Sequence, residues 1–240
     1  LLAHTPLWGS LLFVSHPILT EAVNVISYRE DLLAFFFFIG TLNLYLLLRK
    51  NDTPFKSPSS LPLYILSCFT LFFALLSKEM AVTLPLVIFS YEFIFAQGKD
   101  GKLKRSVSNL YLMGYIAIVF IYGYIRFYSF FNPAESELIP WSLNERLLTN
   151  PWLLINFIKF IIFPVSLSAD YEINPVKTFF SLRFILPIIV LVSFLFLPFV
   201  MKKWEKRLMF SLLFFIVTLI PVYNVVPISN PLAERYLYLP

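Results

Sequence analysis

The sequence predicts an all-α, polytopic bundle of transmembrane helices with seven to eight spans and one extracytoplasmic interfacial helix. Composition is the first reason: the 240 residues are 59% hydrophobic and 14% charged, and their mean hydropathy is +0.78. Soluble domains are about 45–50% apolar and about 25% charged, so this chain has more apolar surface than a soluble core can bury. The second reason is that apolar residues form long runs, and basic residues cluster between those runs.

The lengths of the apolar runs predict the spans, because an α-helix needs about 20 such residues to cross the hydrocarbon core. An eighth run begins near Tyr236, and seven earlier runs reach or nearly reach this length: 1–15, 32–48, 61–77, 81–97, 109–128, 180–200 and 208–226. We expect the chain to be a piece of a longer protein, since it begins at Leu1 rather than Met and ends at Pro240 within an apolar run.

Basic clusters predict the orientation, because Lys and Arg accumulate in cytoplasmic loops. The three clusters are Arg49, Lys50 and Lys56; Lys99, Lys102, Lys104 and Arg105; and Lys202, Lys203, Lys206 and Arg207. All three lie in the cytoplasm only if the short run 151–165 does not cross the membrane. We therefore predict that 143–176 is an extracytoplasmic segment with an amphipathic or re-entrant helix.

Several function classes are disfavoured by the sequence. The net charge of +5 does not indicate a nucleic-acid partner, because the basic residues behave as topology signals. The sequence has no Gly-rich phosphate loop, zinc spacing or Gly-x-Ser-x-Gly motif, and its two histidines make a Ser–His–Asp triad improbable. We identify no cofactor, and the need for a metal stays open.

The first polar motif of the predicted outer face is SHPILTEAVNVISYREDLLAFF, with His16, Glu21, Arg29, Glu30 and Asp31. Membrane-embedded acids are costly unless they are paired or face water, and they are usually functional, which favours a function for Glu21. Acids also stabilise the start of a helix, so an interfacial cap explains Glu30 and leaves both interpretations open for Asp31. The same two interpretations stay open for His16.

The second motif is LLSKEMAVTLP, in which Lys78 and Glu79 interrupt an apolar hairpin from Leu61 to Phe95. We predict that the two residues form an ion pair in a short turn. The turn is either simply solvated or a site for the phosphate group of a lipid, since lysine is a compact point charge for phosphate.

The third motif, FPVSLSADYEINP, brings Asp170 and Tyr171 after Pro164. A carboxylate beside an aromatic ring can hold a sugar through hydrogen bonds and stacking. A tyrosine in the interfacial belt of a membrane protein is the ordinary alternative.

The fourth motif, VPISNPLAERYLYLP, contains Asn230, Glu234 and Arg235. The arginine fork can clamp an anionic group. A salt bridge at the membrane boundary is the simpler alternative.

Four segments in this order resemble the membrane domain of the transmembrane and tetratricopeptide repeat-containing O-mannosyltransferases: HPILTEAVNVISYREDLLA, SKEMAVTLPLVIFSYE, FPVSLSADY and SNPLAERYLYLP. The resemblance spans nearly the whole chain, and we expect a bacterial relative. It implies that residues 1–240 are part of a GT-C-type transmembrane domain. A first span with a large outer loop, which carries the principal catalytic acid, is expected before this region, and tetratricopeptide repeats are expected after it.

The resemblance implies a membrane glycosyltransferase that moves a sugar, expected to be mannose, from a polyprenyl-phosphate donor to a Ser or Thr hydroxyl of an acceptor protein. Transfer is expected at the lumenal or periplasmic face of a lipid membrane. Glu21 and Asp31 are the expected supporting catalytic residues. Substrate-binding roles are implied for His16, Arg29, Lys78, Glu79, Asp170, Tyr171, Glu234 and Arg235, with Lys78 or Arg235 on the phosphate. Glu30 departs from the family pattern, which commonly has a small residue there.

Two other functions remain open. A non-catalytic membrane scaffold or lipid-carrier-binding protein would share the Lys and Arg sites and would need no cluster of carboxylates. A transporter would have ionisable residues in the middle of its spans, where a pathway must cross. Here the polar groups gather at one face, with Arg126 as a mild exception.

Overall fold

The computed structural model describes residues 5–50, 60–95, 108–129, 140–165, 167–168, 170–200 and 206–240. Within these ranges every regular element is helical, which confirms the all-α class. The α-helices are α1 (Thr5–Ser15), α2 (Thr20–Asn24), α3 (Arg29–Lys50), α4 (Ser60–Ser77), α5 (Leu84–Phe95), α6 (Ser108–Ser129), α7 (Leu143–Ile162), α8 (Leu182–Val200) and α9 (Lys206–Thr218). Short 3₁₀ helices occur at Pro17–Leu19, Ile26–Tyr28, Glu79–Thr83, Ile220–Val222 and Glu234–Leu237.

Three helices of the described ranges are long and apolar enough to cross a membrane, and they identify the chain as a membrane protein: Ile26–Arg49, Ser60–Ser77 and Leu110–Tyr128. They correspond to three of the predicted runs. Leu182–Ser193 is a shorter apolar helix. At the predicted start of an eighth span the structure has the 3₁₀ helix Glu234–Leu237. The number of seven to eight spans stays a prediction.

The run 81–97 does not form one continuous helix. Its first residues belong to the 3₁₀ helix Glu79–Thr83, in which the Thr83 hydroxyl donates to the Met80 carbonyl at 2.8 Å. The helix α5 begins only at Leu84, with Pro85 in its first turn, where a missing N–H has no helical partner to lose. Residues 81–83, which the hydropathy pattern assigns to a span, therefore belong to the tight turn after α4.

The helix α7 lies within the segment 143–176 that was predicted to carry an amphipathic or re-entrant helix, and it begins at Leu143, ahead of the short apolar run 151–165. A capping box starts it: the Ser142 hydroxyl accepts the Glu145 N–H at 3.3 Å, and the Glu145 carboxylate accepts the Ser142 N–H at 2.9 Å. These hydrogen bonds hold the pKa of Glu145 below its usual range. The helix ends at Ile162, ahead of Pro164, because the residue before a proline disfavours helical geometry. Its position relative to the membrane stays a prediction.

The core forms where α3 packs against α4 and where α4 packs against α6. Phe38 and Tyr45 of α3 are fully buried, and the Thr41 hydroxyl donates to the Thr70 oxygen at 2.9 Å across the α3–α4 contact. The C-terminal segment also enters the core, since the Tyr238 ring lies 5.2 Å from the Phe35 ring in an edge-to-face contact. The first and last parts of the described chain are therefore packed together.

A buried ion pair lies at the C-terminal end of α3, where the first basic cluster begins. Glu92 of α5 is 5% exposed and accepts hydrogen bonds from the Tyr45 hydroxyl at 2.6 Å and from Arg49 Nε at 2.8 Å. A buried carboxylate needs such partners to stay charged. Seven basic residues of the three clusters lie outside the described residues: Lys56, Lys99, Lys102, Lys104, Arg105, Lys202 and Lys203.

Gly114 of α6 leaves space for the Tyr64 side chain of α4, because a Cβ atom at position 114 would overlap the Tyr64 hydroxyl. We predict that Gly114→Ala destabilises the protein by about 1–3 kcal/mol through overpacking. Thermal unfolding of the purified protein in detergent measures the loss, and Gly123→Ala is the matched control because nothing lies within 4 Å of its Cβ position. Equal melting temperatures for the two variants would contradict this packing.

Candidate functional site

A cavity of about 280 Å³ lies where the N-terminal and C-terminal segments meet the turn after α4. It combines charged, aromatic and apolar side chains, namely Tyr28, Glu30, Lys78, Glu79, Met80, Pro221, Val222, Ile228, Ser229, Arg235 and Tyr236. Three of these were predicted site residues: Lys78, Glu79 and Arg235. Motifs that are far apart in sequence therefore contribute to one cavity.

Lys78 is held by the first turn of α3. Its Nζ donates to Asp31 Oδ2 at 2.8 Å and to Glu30 Oε1 at 3.0 Å, and the Asp31 side chain is 4% exposed. Burial by itself lowers the pKa of Lys78, but the hydrogen bond and the charge of Asp31 outweigh it, so the pKa is raised and the ammonium group stays charged. Asp31 thus holds in place the ammonium group of Lys78, which lines the cavity.

The predicted ion pair between Lys78 and Glu79 is wrong. Lys78 has an extended backbone, with φ −155° and ψ 140°, and its ammonium group reaches the carboxylates of α3 instead. The Glu79 carboxylate is exposed and forms no hydrogen bond or ion pair within the described part of the chain.

Glu21 holds Arg235 with both of its carboxylate oxygens. Oε1 accepts from Arg235 Nη1 at 2.6 Å, and Oε2 accepts from the Arg235 backbone N–H at 2.9 Å. Glu21 is 8% exposed, so this charge-assisted pair is largely shielded from water. The carboxylate therefore fixes both the side chain and the backbone of the 3₁₀ helix Glu234–Leu237.

Aromatic rings hold the other faces of Arg235. Its guanidinium carbon lies 4.1 Å from the centre of the Tyr28 ring and 5.2 Å from that of the Tyr236 ring. Such cation–π contacts stabilise a desolvated guanidinium. Burial acts to lower the pKa of Arg235, whereas Tyr236 and Glu21 raise it, and the net direction is upward. Arg235 is therefore a fixed cation with one side towards the cavity.

Glu234 and Arg235 do not pair with each other, and the salt bridge of this motif is the one between Arg235 and Glu21. Glu234 is 3% exposed, and its Oε1 accepts from the Tyr171 hydroxyl at 2.6 Å and from the Ser168 N–H at 2.8 Å. Burial and the hydrogen bond to Glu234 raise the pKa of Tyr171. The third and fourth motifs thus meet beside the cavity. Asp170 is exposed, and its carboxylate has no partner among the described residues.

His16 lies outside the cavity and makes local contacts. Its Nδ1 accepts the Ile18 N–H at 3.3 Å, which caps the 3₁₀ helix Pro17–Leu19. Nε2 lies 2.9 Å from the Ile161 carbonyl oxygen, which can accept a hydrogen bond from it. Arg29 is exposed at the start of α3 and does not line the cavity.

Tyr28 and Glu30 are two of the eight cavity-lining residues that the site prediction did not include. Both flank Arg29 in the YRED segment, where no spacing rule indicates which of the three side chains faces the cavity. The pairing of Tyr28 with Arg235 also depends on a contact between the two ends of the chain, which the sequence pattern does not reveal.

Carboxylates outnumber cations around the cavity. Two cations, Lys78 and Arg235, accompany four acids: Glu21, Glu30, Asp31 and Glu79. Within the described ranges no group of three or more His, Cys, Asp or Glu side chains is arranged to hold a metal ion. The arrangement provides two fixed positive charges and the exposed carboxylates of Glu30 and Glu79, which suits a ligand with an anionic part and hydroxyl groups.

The chain is similar to curated proteins that are named protein O-mannosyl-transferases. It is 27% identical over 270 residues to protein O-mannosyl-transferase TMTC3 of Homo sapiens and 26% identical over 270 residues to TMTC3 of Mus musculus. It is 26% identical over 242 residues to protein O-mannosyl-transferase F38B6.6 of Caenorhabditis elegans. These alignments cover 97% of this chain and 28%, 28% and 32% of the relatives, so the chain spans about a third or less of their length. No protein-family model matches the chain, and no solved structure matches it significantly.

The Glu21–Arg235 pair can be tested by a double-mutant cycle. We predict that Glu21→Gln or Arg235→Met alone lowers stability by about 3–5 kcal/mol, because each leaves a buried charge without its partner. The double variant should lose much less than the sum of the two, and thermal or denaturant unfolding in detergent measures all three. Glu79→Gln is the control, since its carboxylate has no partner in the described chain. Additive losses would show that the two residues do not interact.

Proposed function

We propose that the protein is a membrane glycosyltransferase that moves mannose from a polyprenyl-phosphate donor to a Ser or Thr hydroxyl of an acceptor protein. The observation that carries this proposal is the cavity in which Lys78 and Arg235 are both held in place by buried carboxylates. The names of the similar proteins support mannose as the sugar and a protein as the acceptor.

The two cations suit the phosphate of the donor. During transfer the acceptor hydroxyl oxygen attacks the anomeric carbon, and the bond from that carbon to the phosphate oxygen breaks with its electron pair on the phosphate. The proton of the hydroxyl passes to a carboxylate base. Charges that are already in position stabilise the departing phosphate without reorganisation. Lys78 and Arg235 meet this requirement, because each is fixed by hydrogen bonds of 3.0 Å or less.

Glu21 and Asp31 act as supporting residues in this proposal. Both Glu21 oxygens accept hydrogen bonds from Arg235, and Asp31 accepts one from Lys78. A carboxylate in such contacts holds a cation in position. We expect the principal base to come from the outer loop that the resemblance implies before this region.

An apolar groove supports the lipid character of the donor. It has a volume of about 400 Å³ and is lined by apolar residues of α5, α6 and the turn after α4: Val82, Pro85, Leu86, Phe89, Leu112, Ile116 and Val119. Val82 belongs to the same 3₁₀ helix that Lys78 precedes. An isoprenoid chain in this groove would bring its phosphate to the turn that carries Lys78.

We further propose that the chain is part of a multi-pass GT-C-type domain and that its cavity lies at the lumenal or periplasmic face. Two helices support this orientation, because each has the cavity at one end and basic residues at the other. The first turn of α3 carries Glu30, and Arg49 lies near its C-terminal end. The helix α9 begins with Lys206 and Arg207 and is followed by Pro221, which lines the cavity. Basic residues favour the cytoplasmic side, so the cavity is expected opposite.

The proposal is tested with the full-length protein in proteoliposomes, polyprenyl-phosphate [¹⁴C]mannose and a Ser/Thr-rich peptide. We expect radiolabel on the peptide, and we expect Lys78→Ala to lower kcat/KM by about 10²–10³-fold, as removal of a group that stabilises developing charge does. Lys206→Ala, at the opposite end of α9, is the control and should retain activity within about threefold of wild type.

Donor binding without transfer by the wild-type protein would contradict the proposed enzyme and favour a lipid-carrier-binding protein. Normal transfer by Lys78→Ala would remove Lys78 from the phosphate site.

A further inference from the structure

The carboxylates around the cavity differ in what they contact. Glu21 is bound to Arg235, whereas Asp31 and Glu30 are bound to Lys78. Glu79 lines the same cavity, and its carboxylate has no partner in the part of the chain that the structure describes. Glu79 is therefore the cavity-lining carboxylate with neither oxygen engaged by a described residue, whereas the half-exposed Glu30 has one oxygen bound to Lys78.

The charge around the cavity limits the ligand group that Glu79 can take. Acids already outnumber Lys78 and Arg235, so a second anionic group next to Glu79 would be repelled. A neutral hydroxyl donates a hydrogen bond to a carboxylate and adds no charge. The same acceptor strongly disfavours ligands that lack the hydroxyl, because a polar group of the site then stays unpaired.

The backbone fixes Glu79 beside the phosphate-binding cation. Glu79 follows Lys78 directly and is the first residue of a 3₁₀ helix, whose start is tied by the hydrogen bond from the Ala81 N–H to the Lys78 carbonyl at 3.2 Å. If Lys78 binds the donor phosphate, Glu79 lies on the phosphate side of the anomeric carbon. In an inverting displacement the acceptor hydroxyl approaches from the opposite side, which leaves the hydroxyls of the sugar itself within reach of Glu79.

We infer that Glu79 accepts a hydrogen bond from a hydroxyl of the donor sugar next to the anomeric carbon and thereby determines which sugar is transferred. This inference rests on the proposed function and adds the residue that distinguishes the sugar. It gives Glu79 a role different from those of Glu21 and Asp31, which act through Arg235 and Lys78.

The test compares Glu79→Ala and Glu79→Gln in the full-length protein, with polyprenyl-phosphate mannose and with its 2-deoxy and 3-deoxy analogues. We expect Glu79→Ala to lower kcat/KM for mannose by about 100-fold and Glu79→Gln by about 10-fold, since glutamine keeps an acceptor oxygen. For the 2-deoxy donor, Glu79→Ala should cost less than about threefold, because the contacted hydroxyl is already absent, whereas for the 3-deoxy donor it should cost as much as for mannose. The shape of the pH–rate profile should not change.

Controls distinguish the loss of a contact with the sugar from a loss of protein stability and from a failure of the proposed function. Both Glu79 variants should unfold at the wild-type temperature, and Glu172→Gln, an exposed acid outside the cavity, should transfer mannose at the wild-type rate. Absence of transfer by the wild-type protein would overturn the proposed function.

Two results with an active wild-type protein would overturn the inference itself. One is an equal loss for Glu79→Ala with every donor. The other is an inactive Glu79→Gln that has lost the acidic limb of the pH–rate profile, which would make Glu79 a proton acceptor.

Discussion

The ion pair between Glu21 and Arg235 joins residues that are 214 positions apart, and the cavity depends on it. Glu21 fixes the Arg235 backbone and side chain together, and Tyr28 covers the guanidinium from the same N-terminal segment. Because the preceding residue, Glu234, binds Tyr171 and Ser168, the C-terminal segment is held at two successive residues. The lining of the cavity by Ile228, Ser229 and Tyr236 follows from this attachment.

The pairing pattern reflects the cost of charge near a membrane. An unpaired buried charge is strongly unfavourable, and the buried acids at the two ends of α3 are paired: Asp31 with Lys78 at the first turn, and Glu92 with Arg49 at the other end. Glu79 lies outside this pattern, since it is exposed, lines the cavity and has no hydrogen-bond or ion-pair partner in the described chain. A site where stabilising pairs are incomplete is where a ligand gains most from binding.

Hydropathy predicted α3, α4 and α6 well, because long apolar helices have a strong local signal. It did not predict the 3₁₀ helix Glu79–Thr83, whose apolar residues do not differ from those of a span. Charges that interrupt apolar runs identified Lys78 and Arg235, but their partners are non-local and could not be read from spacing. The contacts of His16 with the Ile161 carbonyl and of Tyr171 with Glu234 are also non-local, so the sequence could not predict them. The binding roles of His16 and Tyr171 stay predictions.

The central claim is that Lys78 and Arg235 together bind the phosphate of a lipid-linked sugar. It is tested most directly by a cryo-electron microscopy structure of the full-length protein with a non-cleavable mannosyl phosphonate analogue of the polyprenyl donor. We expect phosphonate oxygens within about 4 Å of both Lys78 Nζ and the Arg235 guanidinium, with the Glu21–Arg235 contact intact. A phosphonate bound elsewhere, with the cavity empty, would contradict it.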